Sequence, residues 1–309
     1  MPNVILLRAP VESPPDPYES TLRDSSFNPF SLPVLETSLT HLPELQSLIS
    51  SGPQSKAFTG VIITSKRSCE AWNTATKNLI GSTSHDDDLL AKLNASLASW
   101  TSLPFYVVGK GTAAALQEFR GLCSDSNEKL TLDIRGQETG TGEQLAHFIL
   151  EDITKDRSSN GLLYLTGDKN RDTVPKILSS EKAHDNKIAL HALQVYETHG
   201  ATDFEKNLDS LITQAMPITD SGRSDDIWWI VFFAPSSSLF AYPMLRKHFN
   251  FISLDSPINS STSIPTAKVA AIGQVTSAYL EEKLKIRVDA IAAKPSPEAL
   301  SAALASVAL

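Results

Sequence analysis

The sequence predicts an α/β protein with two domains, each containing a parallel β-sheet flanked by helices. Residues 107–118 and 271–282 indicate a unit that is built twice, because both run from apolar residues through a glycine and a threonine into an alanine-rich helical segment. Two further pairs of segments resemble each other in the same order, 61–65 with 230–238 and 141–149 with 296–304. Similar segments in a fixed order are typical of a repeated structural unit.

The composition is that of a globular protein. Of its 309 residues, 41% are hydrophobic and 20% are charged, and the length suits two domains that each bury a core. The net charge of -8 argues against general nucleic-acid binding, which requires a basic face. The amino terminus has no basic leader, and no apolar stretch approaches the roughly 18 residues of a membrane span. We therefore expect a cytoplasmic protein that binds neither nucleic acid nor membrane.

The sequence lacks the common signatures of metal and cofactor sites. Cys69 and Cys123 are the only cysteines, which is too few for a disulfide framework or a zinc site. The glycines at 109–112 lack the earlier glycine of a phosphate-binding Walker loop, and no GxGxxG motif follows the first strand. A GxSxG nucleophile elbow is also missing. We therefore expect no metal, nicotinamide or flavin.

The elements of the amino-terminal half follow from apolar runs broken by turn residues. Residues 4–7 form an all-apolar run typical of a parallel strand, and residues 17–25 fit a helix. Residues 30–39 are extended, because Pro33 does not fit inside a helix. Alternating elements follow, with strands at 61–64, 105–108, 162–165 and 188–198 and helices at 66–80, 111–119, 141–154 and 171–181. Such alternation predicts a parallel sheet covered by helices.

When the linker strand 188–198 is not counted, the carboxy-terminal half repeats this alternation with one strand fewer, and residues 4–7 can supply the missing strand. Its predicted elements are strands 227–233 and 268–272 and helices 203–214, 236–248, 275–284 and 296–307. The predicted domains are a discontinuous first domain, 1–38 with 199–309, and a second domain, 39–198, joined by linker strands at 30–39 and 188–198, with a cleft between the domains. Surface loops are predicted at the polar stretches 81–88, 124–129, 219–226 and 253–266.

Several predicted strands end in small or hydroxyl-bearing residues where a helix begins. The residues at these turns are Thr64, Ser65, Lys66, Gly109, Lys110, Thr112, Gly140, Thr141, Gly142, Gly167, Lys169, Arg171, Ser236, Ser237, Val275 and Thr276. One interpretation is helix capping, since serine and threonine oxygens accept hydrogen bonds from first-turn amides. The other is an anion-binding site, because free amides and positive helix ends at the carboxyl edge of a parallel sheet attract negative charge. The basic side chains either add to this charge or are simply solvated.

Tyr196 lies in the second predicted linker strand. Its side chain either faces the predicted cleft or is that of a half-buried strand tyrosine, and the spacing suits both interpretations equally.

Taken in order, these segments resemble the uroporphyrinogen-III synthase family. The matching segments are VILLR, DPYESTL, FSLPVLE, GVIITSKRSCEAW, FYVVGKGTAAAL, GTGEQLAHFI, YLTGDKNRDTVPKIL, QVYET, VFFAPSSS, AAIGQVTSAYL and KPSPEAL. Their order and the VYET segment carry the resemblance more than any single motif. Two positions depart from the family pattern, because Ala234 replaces a usual serine and Val275 a usual threonine. Side-chain hydroxyls at these two positions therefore cannot be essential.

The resemblance implies a cofactor-independent hydro-lyase of heme biosynthesis. Its substrate would be hydroxymethylbilane, a linear tetrapyrrole rich in carboxylates, which is closed to uroporphyrinogen III with inversion of ring D and loss of water. The family's tyrosine falls on Tyr196, as candidate catalytic residue. Its hydroxyl-bearing turns fall on Thr64, Ser65, Thr112, Ser236, Ser237 and Thr276. This small-molecule substrate is the expected partner, bound by a monomer.

Two other functions remain open from the residues alone. A non-catalytic, hinge-closing anion-binding module would show the same two domains and linker strands. A sugar- or nucleotide-dependent transferase is the weaker alternative, because the phosphate-binding motifs are missing.

Overall fold

The structure is a computed structural model that describes residues 1–11, 13, 15–122, 132–153, 160–179, 188–215, 227–255 and 264–308. The strands are β1 (Asn3–Leu7), β2 (Asn28–Ser31), β3 (Leu35–Leu39), β4 (Phe58–Ile63), β5 (Pro104–Val107), β6 (Asp133–Arg135), β7 (Asn160–Gly167), β8 (Ile188–Gly200), β9 (Trp228–Phe232), β10 (Ala267–Ala271) and β11 (Ala290–Ile291). The helices are α1 (Pro17–Asp24), α2 (Leu42–Ser51), α3 (Lys66–Thr83), α4 (Asp87–Thr101), α5 (Gly109–Leu122), α6 (Gly142–Ile153), α7 (Thr173–Leu178), α8 (Phe204–Ala215), α9 (Pro235–Leu245), α10 (Gln274–Lys283) and α11 (Pro297–Ala308), with a 3₁₀ helix at Pro53–Lys56.

The chain forms two compact units. Unit 1 contains Met1–Glu36 and His199–Leu309, and unit 2 contains Thr37–Thr198. The chain enters unit 2 within β3 and leaves it within β8.

The sheet of unit 1 has the strand order β11-β10-β9-β1-β2, and its pairs are parallel. β1 lies beside β9, so the amino-terminal strand completes a sheet made by the carboxy-terminal half, as the strand deficit predicted. Every residue of β1 and β9 is buried, which explains their continuous apolar sequences, because helices cover both faces of a central parallel strand.

The sheet of unit 2 has the order β3-β8-β7-β4-β5-β6. Its strands β8-β7-β4-β5-β6 follow the same order as β2-β1-β9-β10-β11 of unit 1, so the two units share one topology. In unit 1 the chain starts at the strand equivalent to β7, whereas in unit 2 it starts with β4 after the added strand β3. The α/β fold with parallel sheets is confirmed, and the shared topology explains why β5–α5 and β10–α10 have similar sequences.

The predicted loop at 81–88 is wrong in most of its length. α3 continues to Thr83, and α4 begins at Asp87. The Asp86 carboxylate accepts hydrogen bonds from the amides of Asp88 and Leu89, at 3.1 and 3.0 Å. The run of aspartates therefore caps a helix, because carboxylates stabilise the positive end of a helix dipole.

The short strands β6 and β11 were not predicted from the sequence. Other differences concern the ends of elements. The extended stretch 30–39 is divided between β2 and β3, and α7 begins at Thr173, two residues later than predicted. The predicted loops 124–129 and 219–226 lie outside the described residues, as do residues 256–263 of the fourth predicted loop. None of the described helices is both long enough and apolar enough to span a membrane.

Candidate active site

Unit 2 has a pocket of about 360 Å³ at the carboxyl ends of its central strands β4 and β7. The helices that follow these strands lie on opposite faces of the sheet, because Trp72 of α3 belongs to one core and Val174 of α7 to the other. In open α/β sheets, the crevice between two such strands is the usual ligand site. The residues that line the pocket are Thr64, Ser65, Thr141, Gly142, Glu143, Tyr164, Lys169, Asn170, Arg171, Thr173, Val174 and Tyr196.

The pocket brings together predicted residues from four parts of the chain. They are Thr64 and Ser65 after β4, Thr141 and Gly142 at the start of α6, Lys169 and Arg171 after β7, and Tyr196 in β8. Helix capping accounts for two of these side chains. The Ser65 hydroxyl oxygen accepts a hydrogen bond from the Ser68 amide at 3.2 Å, and the Thr141 hydroxyl oxygen accepts one from the Gln144 amide at 3.2 Å.

Lys169 and Arg171 give the pocket positive charge. Both side chains are exposed, and within the described part of the chain neither forms an ion pair. A third cation, Arg67 of α3, lies over the ring of Tyr196, with its guanidinium carbon 5.9 Å from the ring centroid. Hydroxyl groups and cations on one rim suit a ligand that carries carboxylates.

Several pocket residues were not singled out from the sequence. These are Glu143, Tyr164, Asn170, Thr173 and Val174. The Tyr164 hydroxyl donates a hydrogen bond to the side-chain oxygen of Asn170 at 2.8 Å, which fixes the loop after β7. The sequence shows a polar loop after an apolar strand, but this pattern does not identify Asn170 as the loop residue that bonds back to the strand.

Other predicted residues of unit 2 lie outside the pocket lining. Lys110 forms an ion pair with Glu138 at 3.3 Å, and Thr112 is buried. Gly109 has φ +75°, which favours glycine at the start of α5. Lys66 is exposed, with its side chain beside Gly111. The remaining two are Gly140, whose amide donates to the Gln144 side-chain oxygen at 2.7 Å, and Gly167, which lies against the ring of Tyr196.

The predicted residues of unit 1 lie at the starts of α9 and α10. Neither helix has a side-chain cap, because Ala234 and Gly273 occupy the cap positions. The Ser237 hydroxyl donates to the Ala234 carbonyl oxygen at 2.9 Å instead of capping the helix, while Ser236 is exposed. Val275 is exposed and Thr276 is buried. The first-turn amides of α9 and α10 therefore receive no hydrogen bond from a side chain at the capping position.

The turn after β1 in unit 1, equivalent to the turn after β7, is filled by protein groups. The Arg8 guanidinium donates to both carboxylate oxygens of Asp16, at 3.0 and 2.8 Å. It also lies over the rings of Tyr18 and Phe233, at 5.0 and 5.8 Å from their centroids. The two units therefore differ at this edge, because an internal ion pair lies where unit 2 has exposed cations.

Comparison with known proteins assigns the family. The family model for uroporphyrinogen-III synthase HemD matches residues 16–302, nearly the whole chain. The chain belongs to the uroporphyrinogen-III synthase family. The resemblance found in the sequence is thereby confirmed.

Two yeast members of the uroporphyrinogen-III synthase family match most of the chain. Uroporphyrinogen-III synthase of Saccharomyces cerevisiae is 26% identical over 296 residues, which cover 93% of this chain and 90% of the yeast protein. The protein of the same name from Schizosaccharomyces pombe is 26% identical over 309 residues, covering 98% and 96%. A crystal structure of a mutant uroporphyrinogen III synthase from the extremely thermophilic bacterium Thermus thermophilus is 16% identical, with a TM-score of 0.41 and coverage of 100% and 99%. The family assignment rests on the sequence matches.

Proposed function

We propose that this protein is a uroporphyrinogen-III synthase, which closes hydroxymethylbilane to uroporphyrinogen III. The match of the family model to residues 16–302 is the observation that carries the proposal. The pocket of unit 2 supports it, because its cations and hydroxyl groups suit a substrate with many carboxylates.

The proposed reaction begins when the hydroxyl group leaves hydroxymethylbilane and a reactive azafulvene forms. Ring D attacks through its substituted α-carbon to give a spiro intermediate, which fragments and closes again with ring D inverted. Without the enzyme, the chain closes directly to isomer I. The protein must therefore hold one conformation of the chain, and positioned hydrogen-bond donors are suited to that task.

We assign the roles within the pocket as follows. Lys169 and Arg171 bind substrate carboxylates, since both are exposed cations on the pocket rim. Thr64 and the first-turn amides after Ser65 supply further donors. Tyr196 donates a hydrogen bond to the departing hydroxyl group or stabilises charge that develops there. The other predicted residues that line the pocket, Thr141 and Gly142, contribute amides or hydroxyls without a unique chemical role.

We further propose that the enzyme acts as a monomer in the cytoplasm and without a cofactor. The chemistry supports the last point, because the hydroxyl group leaves without redox or Lewis-acid assistance. Dialysis against a chelator should leave the rate unchanged. Loss of activity that a single metal ion restores would contradict this part of the proposal.

A product assay tests the function. The purified protein is mixed with hydroxymethylbilane made enzymatically in the same vessel, and isomers I and III are separated after oxidation. We expect isomer III to dominate, whereas a boiled sample should yield isomer I. If the protein binds the bilane but gives only isomer I, it is the non-catalytic anion-binding module.

A further inference from the structure

The pairing of β7 with β8 changes register beside Tyr196. Thr166 pairs with Gln194, but the next residue, Gly167, pairs with Tyr196. Val195 is therefore an extra residue in β8 that has no partner in β7, while its carbonyl oxygen accepts a hydrogen bond from the Thr40 amide at 2.9 Å. One extra residue in a strand is a β-bulge, a feature that re-aims a side chain and is common beside active sites.

The bulge changes the face on which Tyr196 lies. In a regular strand, neighbouring side chains point to opposite faces of the sheet. Here Val195 is a buried member of the core beneath α3, and Tyr196 packs against that same core. Both side chains therefore lie on the α3 side, where Arg67 covers the Tyr196 ring.

Because Gly167 has no side chain, the Tyr196 ring can occupy the space beside its Cα atom. A Cβ atom at position 167 would lie 2.7 Å from the Tyr196 hydroxyl oxygen and closer still to two ring carbons. The φ angle of Gly167 lies outside the range that favours glycine, so a larger residue is excluded by the tyrosine ring rather than by the backbone. The ring lies directly on the backbone of β7.

Asp168 holds the other side of the bulge. Its amide donates a hydrogen bond to the Tyr196 carbonyl oxygen at 3.2 Å, and its carboxylate accepts one from the Thr198 amide at 3.1 Å. Asp168 thus fixes the backbone of β8 at Tyr196 and at Thr198, and the Tyr196 side chain lines the pocket.

We propose that Gly167 is a positioning residue, which together with the bulge at Val195 sets the place of the Tyr196 hydroxyl group in the pocket. The expected effect of Gly167 on the reaction rate rests on the proposed function of Tyr196. The expected effect on the position of the Tyr196 ring is independent of that function.

The test variant is Gly167→Ala, and its matched control is Gly161→Ala at the other end of β7. A Cβ atom at Gly161 would lie 2.5 Å from the Ala57 carbonyl oxygen, so both variants force a methyl group into occupied space. We expect Gly167→Ala to lower kcat for isomer III about tenfold to a hundredfold at unchanged KM, because a small misplacement of a reacting group has this effect. Gly161→Ala should lower stability but not the ratio of isomer III to isomer I.

A double variant separates positioning from a general loss of structure. If Gly167 acts through the Tyr196 hydroxyl group, Gly167→Ala should cause no further loss of rate in a Tyr196→Phe background. An equal loss in both backgrounds would overturn the proposal. If Gly167→Ala does not fold, it should fold in a Tyr196→Ala background, where the ring is gone, and failure there would also overturn it.

Ring-labelled tyrosine in NMR spectra gives a measurement without substrate. The Tyr196 signal, assigned by its loss in Tyr196→Phe, should move in Gly167→Ala and stay in place in Gly161→Ala. An unmoved signal in Gly167→Ala would contradict the positioning role even if the rate falls. If the Tyr196 signal moves in Gly167→Ala but the wild-type protein forms no isomer III, the positioning role of Gly167 stands and the proposed function is rejected.

Discussion

The Trp100 indole nitrogen donates a hydrogen bond to the Ile49 carbonyl oxygen, 3.1 Å away. That oxygen lies in the last turn of α2, where its backbone partner is the amide of the capping residue Gly52, at the long distance of 3.4 Å. The Ser96 hydroxyl group donates to the same oxygen at 2.5 Å. Two side chains of α4 thus complete the end of α2, and α4 is a structural part of unit 2 although the sequence did not predict it.

Removing one of these two donors should cost little. We expect Ser96→Ala to lower the free energy of unfolding by about 1 kcal/mol, because the carbonyl group keeps its bond from Trp100. In a Trp100→Phe background the same change should cost roughly 1 kcal/mol more, since the carbonyl group then loses both side-chain donors and keeps the long bond from the Gly52 amide. Urea unfolding measures both values. Ser99→Ala, on the exposed side of α4, is the control, and equal losses for Ser96 and Ser99 would contradict the assignment.

The ion pair of Arg8 with Asp16 should make unit 1 sensitive to acid. Burial alone would raise the pKa of Asp16, but the bonds from Arg8 and from the amides of Val11 and Glu19 outweigh it and lower the pKa below 3.8. Its contribution to stability is therefore present above pH 3.8 and is lost as the pH falls through the lowered pKa.

We expect Asp16→Ala to lower the free energy of unfolding by about 3 kcal/mol at neutral pH, because the Arg8 guanidinium is left without its partner. The difference from the wild type should shrink once the pH falls below 3.8. Asp24→Ala, at the exposed end of α1, should change stability little. Chemical unfolding at a series of pH values checks the result, and a difference that does not vary with pH would reject the explanation.

The raised pKa of Tyr106 should make unit 2 less stable as the pH rises above 10. Burial, and then a hydrogen bond to the Asp152 carboxylate at 2.9 Å, raise the pKa of Tyr106 above 10. The unfolded chain loses this proton near pH 10 while the folded protein keeps it, so the contribution is present below pH 10 and falls as the pH rises.

We expect the wild type to lose about 1.4 kcal/mol of stability per pH unit above pH 10 through this group, and Tyr106→Phe to lack that loss. At neutral pH the variant should be about 1 kcal/mol less stable, because it lacks the hydrogen bond. Thermal unfolding between about pH 8 and pH 11 compares the two. Tyr279→Phe in α10 is the control, and parallel pH curves for wild type and Tyr106→Phe would contradict the prediction.

Tyr196→Phe should slow formation of isomer III by about a hundredfold, the lower end of the usual effect of a positioned proton donor. The hydroxyl group of the substrate leaves without strong assistance, so a larger effect is not expected. Folding and substrate affinity should hardly change, because the ring and its contacts with Gly167 and Arg67 remain. Isomer I should rise as the released bilane closes unaided. The ratio of isomer III to isomer I, compared with Tyr242→Phe, measures the effect, and an unchanged ratio would leave Tyr196 with a structural role only.

Thr276→Ala should reduce activity by no more than about tenfold, since one neutral hydrogen bond contributes about 0.5 to 1.5 kcal/mol. The buried position of Thr276 at the start of α10 supports this limit, because the amides of the same turn remain in place. Steady-state kinetics with a melting curve provides the check. A loss of about a thousandfold, roughly 4 kcal/mol, in a folded variant would assign Thr276 a specific chemical role.

The sequence predicted the sheets well because their signals are local and repeated. The apolar run of β1 was sufficient, together with a count of strands, to place it in the sheet that holds β9 and β10, whereas its position beside β9 comes from the structure. α4 was missed because the aspartates before it also fit a loop, and only the hydrogen bonds from Asp86 distinguish a cap from a turn.

The pocket was predicted in part. Ser65 and Thr141 lie at turns between a strand and a helix, and that pattern is readable in any α/β sequence. No sequence pattern identifies Glu143 and Asn170, because their place in the pocket depends on how α6 and the loop after β7 approach each other. The contact of Tyr196 with Gly167 depends on the register of two strands, which the sequence of neither strand specifies.

The shared topology of the two units has a consequence for synthesis on the ribosome. β1 is made first, but β9, its neighbour in the sheet, follows about 220 residues later. At about 5–20 residues per second, β1 waits roughly 10 to 45 s for this partner. Unit 2 ends at Thr198, before β9 begins at Trp228, so it can start to fold while β1, four aliphatic residues after Asn3, has only β2 beside it. The nascent chain therefore carries a largely apolar strand with one open edge through most of its translation, and this strand is a natural segment for chaperone binding.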